Sequence, residues 1–325
     1  MPDRALRHVR AHSWLFAAGL SLALLIANVV AEPDFGDPSN WPQELATLAP
    51  LALVAFASTP AIVAGGGGLD LSVGPLAVLV NVLLVQKLLP GALHAPAVAI
   101  PILLAVGLAA GAVNGILVAK LRYVPVIATI CMLFILTGLA LKYGADSRSP
   151  GANWTTDLGD QVGPVPGALI LLAVPAAVWG IARWIGYHRA LYAVGGNDVS
   201  AFSAGVDVDG VRIAAYALGG LFAAVAGIAI TALVQSSQSG TIPFYTLAGL
   251  TAVALGGVPL TGGRGGLTGA FFGACALYLI QSLLGSLNVA ANWVNVVYGL
   301  MLLAGVLLGA AALRYRGSAA TAVAS

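Results

Sequence analysis

Charge is what this sequence has least of. Of its 325 residues, 14 are Lys or Arg and 12 are Asp or Glu, 8% in all, while 59% are hydrophobic. Soluble domains run near a quarter charged, so water is not this chain's only solvent. No stretch has the polarity of a soluble catalytic domain, and no nucleic-acid partner is expected. Cysteine is scarcer still. Cys131 and Cys275 lie alone in apolar runs with no ligand partner nearby, and read as small buried hydrophobes rather than metal or redox groups.

Other absences narrow the chemistry. The tripeptide Gly-Lys-Ser/Thr occurs nowhere, which removes the phosphate-binding loop and with it ATP hydrolysis by this chain. The four histidines, His8, His12, His94 and His188, fall in tails or loops. An intramembrane hydrolase needs a Ser–His pair, paired carboxylates or a zinc cluster. Asp70 is the one acidic residue inside or at the end of a span, with no second carboxylate to pair with it. No catalytic residue, cofactor or metal is expected.

What is abundant is apolar sequence at membrane length. A helix needs roughly 20 apolar residues to cross the bilayer core. About ten segments qualify: 12–31, 45–64, 70–89, 95–119, 124–143, 164–186, 211–234, 246–261, 265–287 and 293–313. The eighth is short and runs into glycines, which suits a broken or re-entrant segment. The 41 glycines and frequent alanines suit close helix packing in lipid. The expected fold is an all-α polytopic transmembrane bundle forming a single domain over 1–325.

The positive charges orient it. With the N-terminus inside, the inner side receives Arg4, Arg7, Arg10, Lys120, Arg122, Arg183, Arg189, Arg212, Arg264, Arg314 and Arg316. The outer side receives only Lys87, Lys142 and Arg148. Both termini are then cytoplasmic. A cleaved signal peptide ending near Val29-Val30-Ala31 is the alternative for the first span, although its apolar run is long for one.

Two Gly-rich breaks stand out, Gly65–Gly68 after the second span and Gly262–Gly266 after the eighth. Both fall at the inner end of an inward-running span, the parity of a parallel repeat, and such interruptions point to a transport pathway. In the first, four glycines release the backbone from helical geometry. Asp70 and Ser72 then stand where they could cap the next helix by accepting from its first N–H groups, with solute or ion contact the alternative. In the second, Pro259 and its glycines, with Gly256 and Gly257 just before, break the helix. Asn114, Thr129, Thr137, Gln281 and Asn295 are polar positions within spans, each able to line a pathway or to bond between helices. The largest inner loop, 184–210, has the length and polarity for a short capped cytoplasmic helix, with Asp198, Asp207 and Asp209 available to it.

Four of these segments carry a resemblance. Gly67-Gly68-Leu69-Asp70-Leu71-Ser72-Val73-Gly74 resembles a signature of the permease subunits of ribose/xylose-type sugar ABC importers. Gly111-Ala112-Val113-Asn114-Gly115 is similar to their Gly-x-x-Asn-Gly element. Tyr192-Ala193-Val194-Gly195-Gly196-Asn197, followed by Ala204-Gly205-Val206, is similar to their main cytoplasmic loop, and Leu255–Gly265 to their second Gly-rich segment. The elements occur in family order. Departures are Leu247-Ala248-Gly249, where an acidic residue is common, and Pro125-Val126 with Thr129-Ile130-Cys131 in the fifth span.

The resemblance implies a permease in the bacterial cytoplasmic membrane that imports a monosaccharide or sugar-like solute. It implies three partners: a cytoplasmic ABC ATPase, an extracytoplasmic solute-binding protein and a second permease subunit, identical or sister. It also assigns Gly67, Gly68, Asp70, Ser72, Gly74, Asn114, Gly256 and Gly257 to the broken-helix and translocation elements. Gly195, Gly196, Asn197, Ala204 and Gly205 become the ATPase-docking loop. A nucleoside or branched-chain amino acid permease, and a stand-alone ion-coupled transporter with Asp70 as its titratable group, are the alternatives.

Overall fold

The computed structural model describes residues 14–289 apart from 147 and 238, together with 293, 296, 297, 299–301 and 303. Twelve helices are named here in chain order: α1 Trp14–Ala31, α2 Trp41–Val63, α3 Val73–Leu83, α4 Pro96–Ala119, α5 Pro125–Tyr143, α6 Trp154–Gly159, α7 Gly167–Trp184, α8 Tyr187–Gly196, α9 Asp198–Ser203, α10 Val208–Val234, α11 Ile242–Leu255 and α12 Leu267–Ser286. A single π turn, Leu84–Leu88, continues α3. One small departure from an all-helical chain is a hairpin, β1 Gln161–Val162 against β2 Val165–Pro166.

Among the described residues, seven helices have the length and composition to cross a membrane: α1, α2 with its preceding turn, α4, α5, α7, α10 and α12. The two shorter apolar helices, Val73–Leu88 and Phe244–Leu255, are those beside the Gly-rich breaks. Each of the first nine expected segments therefore holds a helix. The eighth, expected over 246–261, stops at Leu255 because the glycines that follow do not hold helical geometry. The third starts at Val73 rather than 70. The tenth, 293–313, lies largely outside the described residues.

α2 and α10 form the centre. Leu51 to Ala57 of α2 and Phe222 to Ile230 of α10 are buried throughout, and α10 packs on α2, α3 and α4. α12 lies against α1 and α11. Pro50 and Pro60 sit inside α2, where each removes a backbone donor, a defect that neighbouring groups absorb in membrane helices. Beside Pro60, the Ser58 and Thr59 hydroxyls donate back to the carbonyls of Val54 and Ala55 at 3.1 and 2.8 Å.

The α4–α10 contact is made by backbone on backbone. Gly107, Gly111 and Gly115, four residues apart, turn one face of α4 toward α10. A Cβ on Gly111 would lie 2.2 Å from the Tyr216 carbonyl oxygen, and one on Gly107 2.4 Å from that of Gly220. With no hydrophobic force between helices in lipid, this close approach supplies dispersion contact that larger residues would prevent.

The peripheral helices turn apolar side chains outward. Leu22, Ile26 and Val30 of α1 and Phe134 and Ile135 of α5 are exposed, a surface suited to hydrocarbon and too extensive for water. Cys131 joins this outer face of α5 and Cys275 is half-buried, which corrects the expectation of two buried cysteines. A thiol is small and weakly polar, so lipid tolerates it as well as a core does.

The connections separate to two ends. At one end Trp154 Nε1 donates to the His94 carbonyl (2.9 Å), Gln86 to the Ser237 hydroxyl (3.0 Å) and Ser237 N–H to the Arg148 carbonyl (3.2 Å). At the other end lie the Gly65–Gly68 loop, the 120–124 turn, α8, α9 and the 257–266 segment.

Candidate functional site

The first Gly-rich loop makes a turn that side chains would oppose. Gly65, Gly66 and Gly67 have φ of +71°, +63° and +73°, a region that costs other residues about 1–2 kcal/mol each. This reverses the chain between α2 and α3 without a long connection. It delivers Asp70 into the bundle, where Asp70 is 4% exposed, Ser72 2%, and Asn114 and Thr129 fully buried.

The side chains of Asp70, Ser72 and Asn114 meet, and Thr129 bonds the backbone beside them. Asp70 Oδ1 accepts from the Ser72 N–H at 2.9 Å, the Ser72 hydroxyl at 2.6 Å and Asn114 Nδ2 at 3.4 Å. Asn114 Nδ2 also donates to Ser72 Oγ at 2.8 Å. Thr129 Oγ1 reaches the Leu69 carbonyl at 3.2 Å and the Pro125 carbonyl at 2.9 Å. The Asp70 loop is thereby tied to α4 and α5. The expected capping geometry is corrected, because neither side chain accepts from the first N–H groups of α3. Asp70 closes a tight turn on the N–H of Ser72, the residue before α3, and the Ser72 side chain makes no cap bond to the helix. Its hydroxyl is taken up in donating to Asp70 and accepting from Asn114.

The second set of residues lies at the end with the glycine breaks. α8 ends in Gly195-Gly196, and Gly195 is wedged between the two breaks. A Cβ there would lie 1.9 Å from the Val63 carbonyl oxygen and 2.6 Å from the Gly263 nitrogen. Gly263 N–H donates to the Val63 carbonyl at 2.9 Å, and the Tyr192 hydroxyl donates to the Gly265 carbonyl. α8 thus touches the end of α2 and the segment between α11 and α12 at once.

In place of one short helix, this loop holds two, α8 and α9. Asn197 Oδ1 accepts from Ser200 N–H (2.8 Å) at the start of α9, and Asp207 Oδ1 from Gly210 N–H (3.0 Å) at the start of α10. Asp198 and Asp209 instead pair with Arg212 (2.9 Å) and Arg122 (3.2 Å). The Arg212 hydrogen bond beside Asp198 holds its carboxyl below the usual aspartate range. Ala204 and Gly205 make the turn after α9, with Gly205 at φ +83°.

Gly74, Gly256 and Gly257 sit apart from the Asp70 cluster. Gly74 faces Thr246 of α11, Gly256 faces Gly269 of α12, and Gly257 takes φ +74° where α11 stops. Sequence reading did not single out Tyr216 and Arg212, which line a cleft beside the first glycine loop. Nor did it use the Gly107–Gly111–Gly115 spacing, a small-residue stripe that was there to be read.

The sequence matches a permease of transport systems. The family model described as the branched-chain amino acid transport system permease component aligns with residues 43–306. The chain belongs to that family. As a permease of this family it is a multi-pass protein of the inner membrane. The ribose import permease protein of Bacillus subtilis (strain 168) is 32% identical over 296 residues, covering 89% of this chain and 90% of that protein. The ribose import permease protein of Escherichia coli (strain K12) is 33% identical over 309 residues, 91% of this chain and 94% of that protein. The autoinducer 2 import system permease protein of Escherichia coli (strain K12 / DH10B) is 35% identical over 251 residues, 73% and 69% of the two chains. No solved structure matches the chain.

Proposed function

We propose that this permease is the membrane subunit of an ATP-driven importer for a monosaccharide or sugar-like solute. Near-full-length similarity to two ribose import permeases supports the solute class, and similarity to an autoinducer 2 import permease fits the same oxygen-rich chemistry. ATP is hydrolysed by a separate cytoplasmic ABC ATPase, and an extracytoplasmic binding protein supplies the solute. A second permease subunit completes the pathway. Ten spans with both termini in the cytoplasm agree with the distribution of basic residues.

One observation carries the coupling. α8, in the loop assigned to ATPase docking, is wedged through Gly195 against the ends of both broken-helix elements. A push on α8–α9 would therefore reach α2, α3 and α11 through backbone contacts, with few flexible side chains to absorb it. Gly196, Asn197, Ala204 and Gly205 form the outer edge of this lever. Asp70, Ser72, Asn114 and Thr129 hold the first broken helix at a fixed depth. Gly67, Gly68, Gly74, Gly256 and Gly257 allow the sharp turns and close contacts beside the pathway. Transport then follows from a shift between inward- and outward-open states, without covalent chemistry in this chain.

Reconstitution into proteoliposomes with its ATPase and binding protein tests the reading. Uptake of a labelled monosaccharide is expected to require ATP, the ATPase and the binding protein together. Uptake driven by an ion gradient without the ATPase would overturn it.

A further inference from the structure

A cleft of about 340 Å³ opens beside the Gly65–Gly66 turn, between the C-terminal end of α4, the start of α5 and the first turns of α10. That size falls at the small end of ligand pockets, roughly 300–1,000 Å³. Its polar wall comes from Arg122, Arg212 and Tyr216, and an apolar wall from Val118, Tyr123 and Pro125.

Two groups in this wall are unsatisfied. The Tyr216 hydroxyl is buried, in a residue 1% exposed, with no hydrogen-bond partner. Arg212 Nε is likewise buried and unpaired, although the same guanidinium holds Asp198 through its terminal nitrogen. Buried polar groups are rarely left without partners unless something supplies them. The charge balance selects what that would be. Both arginines of the cleft already carry a carboxylate, Asp198 on Arg212 and Asp209 on Arg122. An anion would compete with those pairs, whereas a neutral molecule rich in hydroxyls could bond Tyr216 and Arg212 and leave both intact. Tyr123, an exposed aromatic ring at the cleft, offers a face for the C–H side of such a molecule.

We infer that this cleft is a station for a neutral polyhydroxylated solute, a monosaccharide, at the end of the bundle nearer α8. The inference rests on the functional reading above and adds residues to it. Because Arg212 pairs with Asp198 on α9 and its terminal nitrogen lies 2.7 Å from the place of a Cβ on Gly66, movement of the α8–α9 lever would change the shape of the station directly. Docking and solute release are then linked through one side chain.

The test uses the full-length chain in detergent and, separately, the reconstituted transporter. Equilibrium binding of labelled D-ribose, D-xylose and D-glucose is measured on the native chain, Tyr216→Phe and Tyr278→Phe. At least one sugar should bind saturably and resist displacement by leucine. Tyr216→Phe should weaken that binding about tenfold, while its melting temperature stays level or rises, since the lost hydroxyl has no protein partner. Tyr278→Phe, which removes a hydroxyl bonded to Glu44 at the opposite end, should leave binding unchanged. Equal affinity for native and Tyr216→Phe, or equal competition by leucine, overturns the inference. Absence of sugar binding by the native chain, while the reconstituted transporter imports that sugar, overturns the inference alone. Import of a different solute class and of none of these sugars overturns the functional reading, and the inference with it.

Discussion

At the residue scale, the Asp70 cluster shows how a carboxylate can be retained within an apolar bundle. Its Oδ1 collects three donors from Ser72 and Asn114, all with little access to solvent. Removing it takes the acceptor from the Ser72 N–H and hydroxyl, at about 1–3 kcal/mol for each orphaned group, while Asn114 Nδ2 keeps its bond to Ser72 Oγ. Asp70→Ala is therefore expected to lower the melting temperature of the detergent-solubilised protein clearly. Asp70→Asn, which keeps one carbonyl acceptor, should fall between it and the native chain. Equal melting of Asp70→Ala and native protein would show that the cluster stabilises nothing. Asp198 behaves differently because it is near the surface. With its folded-state carboxyl held low by Arg212, the pair's contribution is complete above the ordinary aspartate value, about 3.9. It fades only as pH falls through the lowered folded value. ATP-coupled uptake at mildly acidic pH should thus show no loss traceable to Asp198, which Asp198→Asn measured across the same range would check.

At the scale of elements, glycine has two separable uses. Along α4 it permits contact: a side chain at Gly111 must push α10 away from the Tyr216 backbone. Gly111→Leu is expected to cost at least the roughly 1–3 kcal/mol of core overpacking, seen as poor yield of folded protein. At the end of α8 it transmits. Gly195→Val would drive a side chain into the Val63 carbonyl, so the lever should separate from the broken helices. ATP hydrolysis by the assembled transporter should persist while solute uptake falls at least tenfold. Gly196 offers a control, because a Cβ there meets nothing within 4 Å in this chain. Gly196→Trp should leave folding alone, and a loss of ATPase binding in a pull-down would mark it as partner-facing. Normal uptake by both variants would remove the docking assignment.

At the scale of the whole molecule, the separation of connections to two ends makes a topological statement that labelling can test. Val199 of α9 is exposed at one end and Asp157 of α6 at the other. With Cys131 and Cys275 replaced by Ser, Val199→Cys in right-side-out vesicles should resist a membrane-impermeant maleimide and Asp157→Cys should react. Inverted vesicles should reverse the pattern. Reaction of both residues from the same side would refute the proposed orientation.

How much of this could be read from the chain depends on the range of the forces involved. Low charge, apolar runs of bilayer length and the bias of basic residues are local or additive properties. They determined a helical membrane protein, the position of nine helices, eight of them to within four residues at either end, and the two places where helices break. Asp70, Ser72 and Asn114 were legible as polar residues that needed a reason to be there. What only the tertiary structure decided was which of them meet. Asp70 and Asn114 are 44 residues apart, and the glycines at 65, 195 and 263 come together across three separate segments. Such encounters depend on helix packing, where small residues let backbones approach. Packing is set by all the neighbours of a helix at once, so no segment read alone contains it. Arg212 could be read only as one more inner basic residue and Tyr216 not at all, for the same reason: an unsatisfied buried group is defined by what surrounds it.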